Sequence, residues 1–169
     1  MNAEIISVGT ELLLGAVVNT DAAIVARALS ELGIDLLHTC VVGDNPARLK
    51  EAVETAIRRS DLLVMTGGLG PTTDDLTKET TAAVAGKQLT LHQPSLERIQ
   101  NYFNEKHVSE NQAKQAWLPE GCHVLQNDNG TAPGCAFQAE NGCTIIMLPG
   151  PPSELAPMLH NYAVPYLKQ

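Results

Sequence analysis

LLVMTGGLGPTTDD, residues 62–75, combines a short apolar strand, a loop with three glycines and the approach to a helix. The apolar residues 62–65 are typical of a parallel strand covered on both faces, because such a strand shows no alternation of apolar and polar positions. We expect the following helix to run from about Asp75 to Ala85. A strand that passes through a tight loop into a helix is the repeating unit of parallel α/β sheets.

Two further units of the same kind precede this stretch. Residues 3–8 and 34–42 have the apolar character of strands, and a segment with helical spacing of apolar residues follows each of them. The candidate N-terminal caps of these two helices are Thr20 or Asp21 and Asp44 or Asn45. The threefold alternation predicts an α/β fold with a doubly wound, mostly parallel sheet and helices on both of its faces.

The later part of the chain has a different character. Asn141-Gly142 lies between two apolar segments and predicts a hairpin, which adds antiparallel strands to the sheet. Residues 94–116 predict one or two polar helices, and residues 153–166 a terminal helix that its two prolines interrupt. Because no repeat, linker or low-complexity tract divides the chain, we expect residues 1–169 to form a single domain.

The composition restricts the possible partners. Eleven Lys and Arg against nineteen Asp and Glu give a net charge of −8, and no basic cluster is present, which argues against nucleic acid. No apolar run approaches the roughly 18 residues of a membrane span. The start of the chain lacks the basic segment of a signal peptide, and its four cysteines form no C-x-x-C pair. These features predict a cytoplasmic protein with reduced thiols and no membrane partner.

Four loops follow apolar strands and are the expected location of the chemistry. They begin at Gly9, Gly43, Thr66 and Pro149. If the strands before them are parallel, all four loops lie at the carboxyl edge of the sheet, where open α/β sheets bind their ligands. The sequence therefore predicts one ligand site built from several loops.

The loop from Thr66 to Asp75 is the strongest candidate for an anion site. Its glycines Gly67, Gly68 and Gly70 let backbone N–H groups approach a phosphate, and the next helix adds a positive N-terminal end. It is neither a P-loop nor a dinucleotide fingerprint, because the required residues are missing. A tight turn without ligand is the alternative. We expect Gly68→Val to block phosphate binding and to leave the fold intact.

Carboxylates near these loops have two possible roles. Asp74 and Asp75 end the glycine loop, and Asp44 follows the neighbouring strand. Each of them can cap a helix, but together they can also hold a divalent metal ion such as Mg²⁺, which an acidic domain needs beside a phosphate. Glu11 and Glu154 likewise either cap helices or bind a ribose hydroxyl or a ring N–H.

The segment from Thr66 to Asp75 resembles the signature loop of the molybdopterin-binding domain superfamily. More specifically, the chain resembles the N-terminal domain of the CinA family of competence/damage-inducible proteins. Besides the signature loop, the segments that carry the resemblance are Gly9-Thr10-Glu11-Leu12-Leu13, Asn19-Thr20, Val42-Gly43-Asp44-Asn45, Lys114-Gln115-Ala116, Asn129-Gly130-Thr131-Ala132-Pro133-Gly134 and Leu148-Pro149-Gly150-Pro151-Pro152-Ser153-Glu154.

The resemblance implies a three-layer α/β/α sandwich of the molybdopterin-binding type. It implies that Asp75 is the essential aspartate and Asp44 the second acidic position, and that a CinA-type domain hydrolyses ADP-ribose-like nucleotides with a divalent metal. Leu69 and Asp74 differ from the residues of the molybdopterin enzymes and so argue against molybdopterin as the ligand. The candidate ligand- and phosphate-binding residues are Gly9, Thr10, Glu11, Asn19, Thr66, Gly67, Gly68, Gly70, Lys114, Gly130, Thr131, Gly134, Gly150 and Glu154.

Three functions are compatible with these residues. The leading interpretation is a metal-dependent nucleotide pyrophosphatase with ADP-ribose as the first candidate substrate, in which Asp44 and Asp75 are catalytic and Asp44, Asp74 and Asp75 hold the metal. The second is binding or adenylylation of molybdopterin, and the third is a nucleotide-binding or dimerisation domain without catalysis. We expect a homo-oligomer, either a dimer or a trimer.

Overall fold

The computed structural model describes all residues from 1 to 169. The strands are β1 Asn2–Val8, β2 Asp35–Val42, β3 Leu62–Thr66, β4 Leu89–Leu91, β5 Trp117–Pro119, β6 His123–Leu125, β7 Gly134–Gln138 and β8 Thr144–Leu148. The helices are α1 Thr10–Leu13, α2 Thr20–Glu31, α3 Pro46–Arg59, α4 Thr77–Val84, α5 Gln93–Phe103, α6 Glu110–Ala113, α7 Pro152–Met158 and α8 Val164–Leu167. A 3₁₀ turn, Lys114–Ala116, follows α6, and a π-helical turn, Leu159–Ala163, joins α7 to α8.

The main sheet has six strands in the order β2-β1-β3-β8-β7-β6. The first four strands are parallel, β7 is antiparallel to β8, and β6 is antiparallel to β7. A separate antiparallel ribbon consists of β4 and β5. The predicted α/β fold with a mostly parallel sheet and a late antiparallel hairpin is confirmed.

Helices cover both faces of this sheet. On β3, Met65 points into one apolar cluster and Val64 into the other, because successive side chains of a strand lie on opposite faces. Leu49 and Val53 of α3 pack in the cluster of Met65. The cluster of Val64 receives side chains from α2 and α7. The result is the three-layer α/β/α sandwich that the resemblance implied.

Several predicted helix boundaries were wrong by a few residues. Helix α2 is capped by Asn19, whose side chain accepts a hydrogen bond of 3.2 Å from the N–H of Ala22, so neither Thr20 nor Asp21 is the cap. Helix α3, in contrast, is capped by Asn45, which confirms one of its two candidate caps. Helix α4 begins at Thr77 without a side-chain cap, so Asp75 precedes it.

The terminal helix also differs from its prediction. It continues through Pro157 and then widens into the π-helical turn, and the second proline lies in the first turn of α8. A proline inside a helix has no N–H to donate, so the regular α-helical hydrogen bonding is interrupted there. No helix of the structure has both the length and the apolar character that crossing a membrane requires.

The predicted convergence of the four loops at one sheet edge is confirmed. The parallel register aligns Val8 with Val42 and Thr66 with Leu148, so these strands end side by side. The N–H of Gly9 donates to the carbonyl oxygen of Val42 at 2.9 Å. This arrangement places the loops after β1, β2, β3 and β8 around one depression.

Candidate functional site

A cavity of about 660 Å³ lies at the carboxyl edge of the parallel strands, and we call it the principal cavity. The predicted site residues that line it are Gly9, Glu11, Asn19, Asp44, Thr66, Gly67, Gly68, Gly70, Asp74, Asp75, Thr131, Gly150 and Glu154. Thr10, Lys114, Gly130 and Gly134 do not line it. Most residues predicted for the site therefore meet around one cavity, although the chain separates them widely.

The glycine loop after β3 presents its backbone to this cavity. Gly67 and Gly68 have φ angles of 86° and 70°, which side-chain-bearing residues rarely adopt. A Cβ atom at Gly67 would collide with the carbonyl oxygen of Val8, and one at Gly68 with the side chain of Thr77. The expectation that Gly68→Val leaves the fold intact was therefore wrong, since the valine would be strained and overpacked.

The amide groups of this loop are available to a ligand. The N–H of Gly67 donates to the carbonyl oxygen of Leu148 at 3.0 Å, and this bond ties the loop to β8. The N–H groups of Gly68, Leu69 and Gly70 make no hydrogen bond within the chain. Successive unpaired amides of this kind form the concave backbone nests that bind anions.

Asp75 holds the end of the glycine loop. Its Oδ2 atom accepts hydrogen bonds from the N–H of Thr72 at 2.9 Å and from the Thr72 hydroxyl at 2.6 Å. The same carboxylate lies against Gly70, where a Cβ atom would come within 2.8 Å of Oδ2. Its Oδ1 atom makes no hydrogen bond within the protein. Asp75 thus shapes the loop and has one carboxylate oxygen without a partner in the protein, while Asp74 is exposed beside it.

Asp44 and Thr10 connect the loops after β1 and β2. The Oδ2 atom of Asp44 accepts a hydrogen bond of 3.2 Å from the N–H of Thr10, and the N–H of Asp44 donates to the Thr10 hydroxyl at 3.0 Å. This reciprocal pair holds Asp44 at the margin of the cavity. The carboxylate of Glu11 lies over Gly9, where a Cβ atom would approach Oε1 to 2.5 Å.

Glu154 of α7 lies against the glycine-containing loop of residues 129–134. Its Oε1 atom accepts a hydrogen bond of 2.8 Å from the side-chain amide of Asn127 and lies so close to Gly130 that a side chain there would collide with it. The Thr131 hydroxyl donates to Oε1 of Gln115 at 2.8 Å. Gly134 is buried in β7, where a Cβ atom would come within 2.5 Å of the Met147 carbonyl oxygen, so its role is strand packing.

The expected metal set of Asp44, Asp74 and Asp75 does not form. The structure contains no group of three or more His, Cys, Asp or Glu side chains placed to hold a metal ion. Mg²⁺ is commonly held by one or two carboxylates together with substrate phosphates and water. Asp44 and Asp75 each keep one carboxylate oxygen without a hydrogen bond in the protein, and carboxylate oxygen is the kind of ligand that such a site uses.

Sequence reasoning missed Asp21 as a cavity residue. It lines the principal cavity, and its Oδ1 atom is buried without a hydrogen-bond partner. Burial raises the pKa of Asp21 to about 6. The position was interpreted as a helix cap, and only the three-dimensional approach of α2 to the glycine loop shows its other environment.

Lys78 of α4 is buried beside the principal cavity. It is 3% exposed, and its Nζ atom donates to the carbonyl oxygens of Lys114 at 3.0 Å and Gln115 at 3.2 Å. Burial is the main cause that lowers the pKa of Lys78 to about 8. The side chain therefore fixes the 3₁₀ turn beside the cavity and does not reach the cavity itself.

Comparison with known proteins relates this architecture to one family. Residues 4–169 match a family model described as "Probable molybdopterin binding domain". A CinA-like protein of Desulfovibrio desulfuricans is 55% identical over 169 residues, which cover 100% of this chain and 40% of that protein. A CinA-like protein of Dictyoglomus turgidum is 52% identical, over 99% of this chain and 41% of its own length. The chain thus spans about two fifths of these curated relatives.

Solved structures agree with this assignment. The crystal structure of a protein CinA from Thermoplasma acidophilum superposes with a TM-score of 0.90 and 36% identity, covering 96% of this chain and 95% of that one. The molybdopterin biosynthesis enzyme MoaB of Thermus thermophilus has a TM-score of 0.67 at 18% identity, covering 98% of this chain and 91% of its own, which is a likeness of fold alone. The chain belongs to the CinA family, and residues 4–169 form its molybdopterin-binding-type domain.

Proposed function

We propose that the principal cavity binds a phosphate-bearing nucleotide and that the domain hydrolyses its pyrophosphate linkage, with ADP-ribose as the first candidate substrate. The observation that carries this proposal is the row of unpaired amides at Gly68, Leu69 and Gly70 beside the carboxylate of Asp75. A cavity of about 660 Å³ is large enough for a nucleotide, since ligand cavities commonly measure about 300–1,000 Å³.

In this proposal the amides of the glycine loop bind the phosphates, and the carboxylates act with a metal ion to neutralise the phosphate charge. The three amides donate hydrogen bonds to phosphate oxygens, and no reorganisation is needed because the loop is already held in place. The cavity is otherwise rich in carboxylates, which repel a pyrophosphate. We therefore propose that Asp44 and Asp75 act together with a divalent ion such as Mg²⁺. Such an ion neutralises phosphate oxygens and makes the phosphorus more open to attack by water.

Asp75 is the catalytic residue in this account, and Asp44 supports it from the neighbouring loop. The hydrogen bonds from Thr72 orient the Asp75 carboxylate, so its free Oδ1 atom has a defined position. The carboxylate of Asp44 is oriented in the same way by the N–H of Thr10. Asp74 is exposed and makes no such bond, so we assign it a minor role.

Molybdopterin is a second candidate ligand, and the family description favours it directly. The enzymes of molybdopterin biosynthesis among the structural neighbours share the fold, and a pterin with a phosphate would place the same anion at the same loop. Binding without catalysis is the third possibility. The expected cytoplasmic location and homo-oligomeric state stay predictions.

A panel assay tests these alternatives. Purified protein is incubated with ADP-ribose and other nucleotide diphosphate compounds, with Mg²⁺ or with a chelator, and the products are separated by chromatography. The proposal expects AMP and ribose 5-phosphate from ADP-ribose only when the metal is present. If no member of the panel is cleaved but molybdopterin binds, the second function replaces the first. If nucleotides bind without cleavage, the domain is a binding module.

A further inference from the structure

A second cavity, of about 520 Å³, adjoins the principal cavity, and we call it the Tyr102 cavity. The loop of residues 127–133 separates the two. Thr131 lines both cavities, so the two spaces are neighbours at this residue. A ligand with its phosphates in the principal cavity would reach the second cavity by extending past Thr131.

The separating loop is rigid. Asn127 is 5% exposed, and its side-chain amide donates to the carbonyl oxygen of Ala132 at 2.9 Å and to Glu154 at 2.8 Å. Its Oδ1 atom accepts a hydrogen bond of 3.1 Å from the N–H of Asn129. Because these bonds hold the loop from both sides, the position of Thr131 between the two cavities is set before any ligand binds.

The Tyr102 cavity suits an uncharged ring better than a phosphate. Its only cationic side chain of fixed charge is Arg98, and that guanidinium lies 3.7 Å from the carboxylate of Asp128 and donates to the carbonyl oxygen of Asn127 at 3.3 Å. The positive charge is thus offset within the protein. A phosphate would lack the free cation or the row of unpaired amides that the principal cavity offers.

The remaining lining offers an aromatic face and a mixed polar rim. Tyr102 is 65% exposed, and the neighbouring Phe103 ring packs edge-on against it with 5.1 Å between the ring centres. His92 and Asn101 supply hydrogen-bonding groups at the rim. An aromatic ring for stacking with amide and imidazole groups around it is the combination that recognises heterocyclic bases.

We propose that the Tyr102 cavity binds the heterocyclic ring of the ligand whose phosphates lie at the glycine loop. The inference deepens the proposed function and rests on it, because it requires a phosphate-bearing ligand in the principal cavity. Tyr102 is the specificity residue in this account. The ring stacks on Tyr102, and the sugar that joins ring and phosphate passes Thr131.

Two ligands that differ only in the base test this inference by calorimetry. AMP carries an adenine ring and one phosphate, whereas ribose 5-phosphate carries the phosphate and sugar alone. We expect the wild-type protein to bind AMP at least about fivefold more tightly, because stacking of one base on an aromatic side chain gives this much or more. Tyr102→Ser removes the difference, and Tyr102→Phe keeps it because the ring is retained.

The outcomes separate the inference from the proposed function. Equal affinities of AMP and ribose 5-phosphate for the wild-type protein overturn the inference, and so does a Tyr102→Ser variant that keeps the wild-type preference for AMP. In both cases the phosphate site stands. If the wild-type protein binds neither compound, the proposed function fails and the inference fails with it. Thermal melting of Tyr102→Ser is expected to stay at the wild-type value, since most of the side chain is exposed.

Discussion

The Nζ atom of Lys114 donates a hydrogen bond of 2.8 Å to the carbonyl oxygen of Thr72, and a further bond to that of Asp75. The ammonium also lies 3.9 Å from the carboxylate of Glu79. A lysine predicted to contact phosphate thus holds the glycine loop without lining the principal cavity. The anion site depends on this brace, because the loop between Gly70 and Leu76 has no regular structure of its own.

Lys114→Met tests whether these two hydrogen bonds of Lys114 hold the glycine loop. The variant removes two hydrogen bonds from a charged donor, so the glycine loop loses order and binding of AMP has to restore it. We expect an affinity loss of about tenfold, because a hydrogen bond to a charged group contributes about 1.5–3 kcal/mol. Calorimetry measures the affinity. Lys50→Met is the matched control, since Lys50 is exposed on α3 and pairs only with Glu54 at 3.8 Å. Equal affinities of the two variants for AMP would contradict a role of Lys114 in holding the glycine loop.

Gly68 and Gly150 differ in what an added methyl group meets. Gly68→Ala is expected to lower the free energy of unfolding by about 1–2 kcal/mol or more, because φ is 70° there and the methyl group collides with Thr77. At Gly150 the nearest atom to a new Cβ is the Cα of Gly67 at 3.4 Å, so the protein should keep its stability. Urea unfolding measures the free energy of unfolding of both variants.

Gly150→Ala is therefore the better probe of the phosphate site. Its methyl group fills space between the loops after β3 and β8, and we expect AMP to bind severalfold more weakly to a normally folded protein. Unchanged affinity would show that this part of the cavity does not receive the phosphate.

Asp21 makes stability depend on pH. Its pKa of about 6 in the folded protein exceeds the ordinary value of 3.8, so the folded state holds the proton more tightly than the unfolded chain does. The stability that this group contributes is complete below about pH 4 and is lost as the pH rises through 6. We expect Asp21→Asn to melt at a higher temperature than the wild-type protein at pH 7 to 8, and the difference to vanish near pH 4. The opposite trend would contradict the burial of this carboxylate.

Lys78→Met tests the buried contact beneath the 3₁₀ turn. The variant leaves the carbonyl oxygens of Lys114 and Gln115 without their donor, which costs about 1–3 kcal/mol for a buried group. Denaturant unfolding checks the value. Lys106→Met serves as control, since Lys106 is exposed and its side chain makes no hydrogen bond. A phosphate contact at Lys78 would instead show as lost affinity with normal stability.

The sequence predicted the position of the site better than its internal contacts. The strand units around Gly9, Gly43 and Gly67 are encoded locally by runs of apolar residues and glycines, so the shared sheet edge followed from parallel pairing. The roles of Lys114 and Lys78 depend on residues about 40 positions away, which no local pattern reveals. Asp21 was missed for the same reason.

Helix caps were the least predictable detail. Asn19 lies directly before the candidate cap Thr20, and Asn45 directly after the candidate cap Asp44, so tertiary contacts decide which side chain caps each helix. Asn19, for example, also bonds the Ser7 hydroxyl at 3.0 Å, which holds it at the helix start. Asp44 is engaged by Thr10 and is therefore not the cap.

Turnover of ADP-ribose by Asp75→Asn tests the central claim most directly. The asparagine keeps an oxygen that accepts from Thr72, so the loop should persist, but the charge at the catalytic position is lost. We expect wild-type protein with Mg²⁺ to release AMP and ribose 5-phosphate, and Asp75→Asn to do so about a hundredfold more slowly or not at all. Asp74→Asn, the matched control, should remain within a few fold of the wild-type rate. Hydrolysis by Asp75→Asn at the wild-type rate, or hydrolysis by the wild-type protein that a chelator does not affect, would contradict the account.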